Sequence, residues 1–158
     1  VYHNISKIEQ AEQKFRDPLG TKRLRKRRIS EGFKASILNN LGIALALKGK
    51  SDEAEKSFKE AVHRSARLPD ARANLGKAYI EKGRFEEGIA ELEAAIRLDK
   101  RDPRFHFMLG QAYYQKGEME LASIQLVRAL SLRLDFPEAR ALLQKIGTEK
   151  ASERGRRG

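Results

Sequence analysis

The sequence predicts an all-α protein, a stack of three helix–turn–helix repeats over residues 35–136. Two observations carry this. Pro69, Pro103 and Pro137 stand one period of 34 residues apart. Leu-Gly recurs in that register at Leu41-Gly42, Leu75-Gly76 and Leu109-Gly110, each followed by a second glycine at Gly49, Gly83 and Gly117. A fixed period of this length is the signature of stacked supersecondary units. The composition agrees: 40% hydrophobic, 35% charged and only 4 prolines, with no alternating β-branched run that would read as a sheet.

The elements follow in order. Residues 1–34 form an N-terminal segment in which Ile5, Ile8, Ala11 and Phe15 fall at helical spacing, so a helix is expected over 3–16. A basic loop follows it. The repeats occupy 35–68, 69–102 and 103–136. In each, a small residue (Gly42, Gly76, Gly110) in the first helix is expected opposite another (Ala54, Gly88, Ala122) in the second, where missing bulk lets two backbones approach. Leu41, Leu45 and Phe58 and their equivalents fill the space beside that contact. Gly49, Gly83 and Gly117 suit a positive φ after the first helix. Asp102-Pro103 reads as an N-cap acid with proline in the first turn. Three stacked units need covered ends. Residues 137–147 read as a capping helix with Leu142, Leu143 and Ile146 on one side, and 148–158 as a basic, flexible tail.

On these residues the chain resembles the tetratricopeptide repeat family. The first repeat reads Leu41, Gly42, Leu45, Gly49, Ala54, Phe58, Ala61. The second reads Leu75, Gly76, Tyr79, Gly83, Gly88, Leu92, Ala95. The third reads Leu109, Gly110, Tyr113, Gly117, Ala122, Leu126, Ala129. Two departures stand out. The large fourth residue is Leu38, then Arg72, then His106, and the late proline is replaced by Ala66, Lys100 and Leu134.

The resemblance implies a right-handed superhelix whose first helices line a concave groove for a partner peptide or helix. Carried over by register, the groove residues are Asn39, Asn40, Asn74, Lys77, Arg104, Phe107, Met108, Gln111 and Tyr114, with Ile43 and Gln115 also inward. Asn40 and Asn74 recur at one position, where an amide donates to and accepts from a peptide backbone. Met108 breaks that ladder. With Phe107 and Tyr114 it predicts an apolar patch at the third repeat, to be set against packing of the same residues on the capping helix. The carboxylate clamp found in one branch of the family needs Lys and Asn at the fifth and ninth positions of the first repeat. This chain has Asn39 and Ile43, which speaks against binding chaperone C-terminal tails.

The net charge is +11, and it is unevenly placed. Residues 1–34 hold 10 Lys/Arg against 4 Asp/Glu; residues 35–144 hold 18 against 16; residues 145–158 hold 5 against 2. The repeats are nearly neutral and the ends are basic. Lys22, Arg23, Arg25, Lys26, Arg27 and Arg28 form a block suited to an anionic surface, whether RNA, acidic protein or lipid. Few aromatics interleave it, so base stacking is not indicated.

Nothing in the sequence supports catalysis. There are no cysteines, hence no disulfide, thiolate metal site or thiol nucleophile. His3, His63 and His106 lack metal-ligand spacing. The stretch from Ala44 to Ser51 loosely matches a phosphate loop, but it lies in a helical register rather than after a strand. The expectation is a non-catalytic scaffold without metal, cofactor or small-molecule substrate, working within a larger complex. No apolar run is long enough to span a membrane. A soluble protein is expected, cytoplasmic or peripheral to a membrane.

Overall fold

The computed structural model describes residues 30–157. The expected helix at 3–16 and the basic run at 22–28 lie outside the described residues. Among these there are seven helices and no strand: α1 (Glu31–Leu47), α2 (Ser51–Arg64), α3 (Pro69–Glu81), α4 (Phe85–Leu98), α5 (Pro103–Lys116), α6 (Met119–Leu132) and α7 (Pro137–Arg157). The chain divides into two compact units, 1–74 and 75–158, and the division falls within α3.

One turn is built three times over. Gly49, Gly83 and Gly117 take φ of 76°, 76° and 88°. One residue later, the N–H groups of Lys50, Arg84 and Glu118 donate back to the carbonyls of Leu45, Tyr79 and Tyr113 at 2.9, 2.9 and 2.8 Å. This closes the first helix with a left-handed residue and a long return bond, which satisfies carbonyls that would otherwise be orphaned. The second helices α2, α4 and α6 start without a side-chain cap. Acids in the first turn complement the helix dipole there: Asp52 and Glu53, Glu86 and Glu87, and Glu120. Two first helices do carry caps. Ser30 accepts from the N–H of Phe33 at 3.2 Å, and Asp102 from that of Arg104 at 2.8 Å.

In unit 1, α1 and α2 cross at Gly42, where an added methyl would sit 2.5 Å from the Phe58 ring. Phe58, Ala35, Ala54 and Ala61 are buried beside this contact. Glu31 bridges the pair to Arg64 at 3.0 Å.

In unit 2 the same crossing recurs twice. Gly76 lies against the Gly88 backbone and Leu92, and Gly110 against Leu126 and the Ala122 carbonyl. The core at the third repeat gathers Ala122, Leu126 and Ala129 with Ala139 and Ile146 of α7 and Phe136, the residue before it.

One expectation about the elements is corrected. The capping helix does not stop at 147 but continues to Arg157, over most of the segment read as a flexible tail. Its added turns are tied down by Glu149, which accepts from the Tyr114 hydroxyl at 2.9 Å, and Lys150, which pairs with Glu120 at 3.0 Å. The odd fourth residues also have a local reason. Arg72 donates through Nε to the Ala66 carbonyl at 3.0 Å, and Arg140, at the same register position, donates to the Leu134 carbonyl at 2.9 Å. Both carbonyls sit where the family's late proline is missing, so the arginine satisfies the backbone that the altered turn leaves open. His106 is instead buried, with Nδ1 2.9 Å from the Gln125 Oε1.

Candidate functional site

The register-derived groove residues fall on α1 and α3 up to Asn74 in unit 1, and from Lys77 onward in unit 2. In unit 1 the asparagines do not form the expected ladder. Asn39 is buried and its Oδ1 accepts from Asn74 Nδ2 at 2.9 Å. Asn74 is half-buried and Asn40 is exposed. The pair that forms is therefore Asn39–Asn74, between neighbouring first helices, and Asn40 stands apart on the α1 surface. Asn74 spends one donor on Asn39, and its carbonyl oxygen and second N–H remain as further hydrogen-bonding capacity.

In unit 2 the α5 positions separate into a wall and a floor. A helix advances about 100° per residue, so Arg104, Met108, Gln111 and Gln115 share one narrow face. Phe107 and Tyr114 lie along one side of it. The structure commits that side to α7 and its leading residue. Phe107 meets Phe136 with ring centroids 4.9 Å apart, and Tyr114 bonds Glu149 and lies under Lys145 Nζ at 5.1 Å from its centroid. The Tyr114 side chain holds the Lys145 ammonium above the usual lysine range. The two aromatics thus serve the capping contact that the sequence set against groove lining. Met108 and Gln111 are half-buried, and Arg104 and Gln115 are exposed. Arg104 is held over its own helix start by Asp102, with Nε 2.9 Å from Oδ2. Lys77 is exposed and reaches Glu81 at 3.7 Å.

The floor of α5 therefore offers a polarizable thioether, two amides and a cation on a rigid helix. Such a surface can hold apolar side chains and pair with backbone amides, and it has no nucleophile or acid–base pair to act on a bond. No group of three or more His, Asp or Glu able to hold a metal ion is found among the described residues. No helix among them is long and apolar enough to cross a membrane. Lys22, Arg23, Arg25, Lys26, Arg27 and Arg28 lie outside the described residues.

Comparison with known proteins adds family and fold. The tetratricopeptide repeat pattern matches residues 35–68 and 103–136, and a second TPR repeat pattern matches residues 76–117. No curated protein sequence matches the chain. Among solved structures, the first TPR of Spaghetti (RPAP3), bound to the HSP90 peptide SRMEEVD, is 24% identical with a TM-score of 0.72, over 76% of this chain and 95% of that one. The first TPR domain of human RPAP3 is 24% identical with a TM-score of 0.73, over 77% and 96%. A Thermobaculum terrenum O-GlcNAc transferase is 21% identical with a TM-score of 0.71, over 76% of this chain but 23% of its own. Repeat register, glycine turns, small-residue crossings and sequence patterns agree, and the chain belongs to the tetratricopeptide repeat family.

Proposed function

We infer that the protein is a non-catalytic interaction scaffold that holds a segment of a protein partner against its first helices. The observation that carries this is the face of α5, where Met108 and Gln111 stay half-buried beside exposed Arg104 and Gln115 while Phe107 and Tyr114 are taken by internal packing. A methionine flanked by amides suits a segment with one apolar anchor and a free backbone edge. The amides of Asn40 and Asn74 offer unit 1 a similar hydrogen-bonding role.

The RPAP3 domain in complex with an HSP90 peptide supports the reading that this fold can hold a peptide, there in another protein. Its specificity does not transfer, because Asn39 is buried in the pair with Asn74 and Ile43 stands where the clamp needs an amide. The occupant we favour is therefore an internal segment with an apolar anchor rather than a free acidic C-terminus. A second reading, anchorage on an anionic surface through Lys22–Arg28, rests on the concentration of charge at the chain ends.

Peptides selected on the protein from a random display library provide the test. Met108→Glu should lower their affinity at least tenfold, about 1.4 kcal/mol, without moving the melting temperature. If Met108→Glu and Gln111→Arg both leave selected peptides bound as tightly as before, the reading fails. Phe107 is the wrong residue to mutate for this purpose, since its loss would loosen α7.

A further inference from the structure

On the outer helix of the third repeat, Leu121, Ile124 and Val127 are exposed at 41%, 59% and 55%. The repeat register sharpens the point. The equivalent residues are Glu53, Lys56 and Lys59 in the first repeat and Glu87, Ala90 and Glu93 in the second, all exposed. Five of those six are charged, as a solvated face should be. The third repeat alone turns this face into an apolar stripe, on the helix α6 that does not line the groove. The core gives no reason for it, because the buried side of α6 is already supplied by Ala122, Leu126 and Ala129.

We propose that this face pairs with the same face of a second copy of the chain, the two α6 helices running antiparallel about Ile124. The helix carries its own complementarity. Its apolar centre has Glu120, an exposed carboxylate that also pairs with Lys150 of its own chain, on the N-terminal side and exposed Arg128 on the C-terminal side. A two-fold axis at Ile124 brings Leu121 level with Val127 of the other copy and Glu120 level with Arg128, twice over. A symmetric contact needs one patch that is complementary to itself, and antiparallel helix dipoles favour the same arrangement. A parallel pairing would set acid beside acid. One helix face is small against a standard interface, so the dimer is weak and concentration-dependent.

The chain has no cysteine, which makes a direct test available. Sedimentation between roughly 10 µM and 1 mM should show monomer passing to dimer, with an affinity in the micromolar range or weaker. Ile124→Lys, which installs the residue of the first repeat, should raise the dimerisation midpoint at least tenfold while leaving the circular dichroism unchanged. Ile124→Cys should form a disulfide-linked dimer under mild oxidation, and Ala90→Cys, at the same position of the second repeat, should not. In a Lys150→Ala background, which removes the internal partner of Glu120, Arg128→Glu should weaken association, and Glu120→Arg with Arg128→Glu should restore it. Met108→Glu should leave the dimer intact, which separates this contact from the groove. A wild type that stays monomeric throughout, a dimer indifferent to Ile124→Lys, or a charge swap that fails to rescue would overturn the proposal. So would a monomer that instead binds phosphatidylcholine–phosphatidylserine vesicles through Ile124.

Discussion

At Gly76 an added methyl would meet the Gly88 carbonyl oxygen at 2.8 Å and the Leu92 Cγ at 3.0 Å. At Gly110 the nearest atoms are Leu126 Cγ at 3.0 Å and the Ala122 carbonyl oxygen at 3.3 Å. Alanine is better than glycine in a helix by about 1 kcal/mol, and overpacking costs about 1–3 kcal/mol. Gly76→Ala, with the closer backbone contact, should therefore destabilise by up to about 2 kcal/mol while Gly110→Ala is close to neutral, as read by denaturant unfolding. Asp102 makes a second residue-scale prediction. Burial pushes its carboxyl up, but hydrogen bonds from the Arg104 side chain and backbone, with the Arg104 charge, outweigh this and hold it below the usual aspartate value. Its folded pKa lies below its unfolded one, so its stabilisation is full above the unfolded pKa and is lost as pH falls through the folded value. Asp102→Ala should cost about 1 kcal/mol at neutral pH and less in acid, whereas Asp102→Asn keeps the cap and flattens that pH response, measurable by thermal melts. The crossing glycines were legible in the sequence because each acts within its own repeat, and this cap because it acts on the residues that directly follow it. The Asn39–Asn74 bond was not, because the sequence pairs asparagines by register and the fold pairs them by reach.

Among the elements, α7 shows what local signals leave out. Its large apolar residues end at Ile146 and a glycine follows, so the sequence reads a stop there. The helix continues because Glu149 and Lys150 find Tyr114 on α5 and Glu120 on α6, partners far away along the chain. The same distance left the role of Phe107 open between groove lining and internal packing, and its ring meets Phe136. Phe136 is buried in the core of unit 2. Phe136→Ala should cost about 3–5 kcal/mol and release α7 before the rest of the unit, which limited proteolysis would detect as early cleavage after 137. Removing residues 149–157 should have a milder effect, since surface ion pairs contribute about 0–1 kcal/mol each.

For the whole molecule, the division of charge is the property that the repeats themselves do not explain. Residues 35–144 are almost balanced, while the six cations of 22–28 sit outside the described residues. If that run meets phosphates, binding to single- or double-stranded nucleic acid should weaken with salt, and its deletion should reduce the log–log slope by about 4–5. Equal slopes with and without the run would remove nucleic acid as its target. Family membership was legible from the 34-residue register, since the same few contacts are written three times. The identity of a partner is not encoded that way, because groove residues vary freely once the crossing and the turn are satisfied.

The wall on one side of the α5 floor has a thermodynamic reach beyond its packing. Phe107 and Tyr114 border that floor and pack against Phe136 and α7, so an occupant of the floor that steadies them also opposes the opening of α7. By linkage, a ligand bound at Met108 should slow amide hydrogen exchange in the last turns of α7, at residues it never touches. The C-terminal helix would then report occupancy, and cutting the Tyr114–Glu149 bond with Tyr114→Phe should silence the report while leaving the ligand in place.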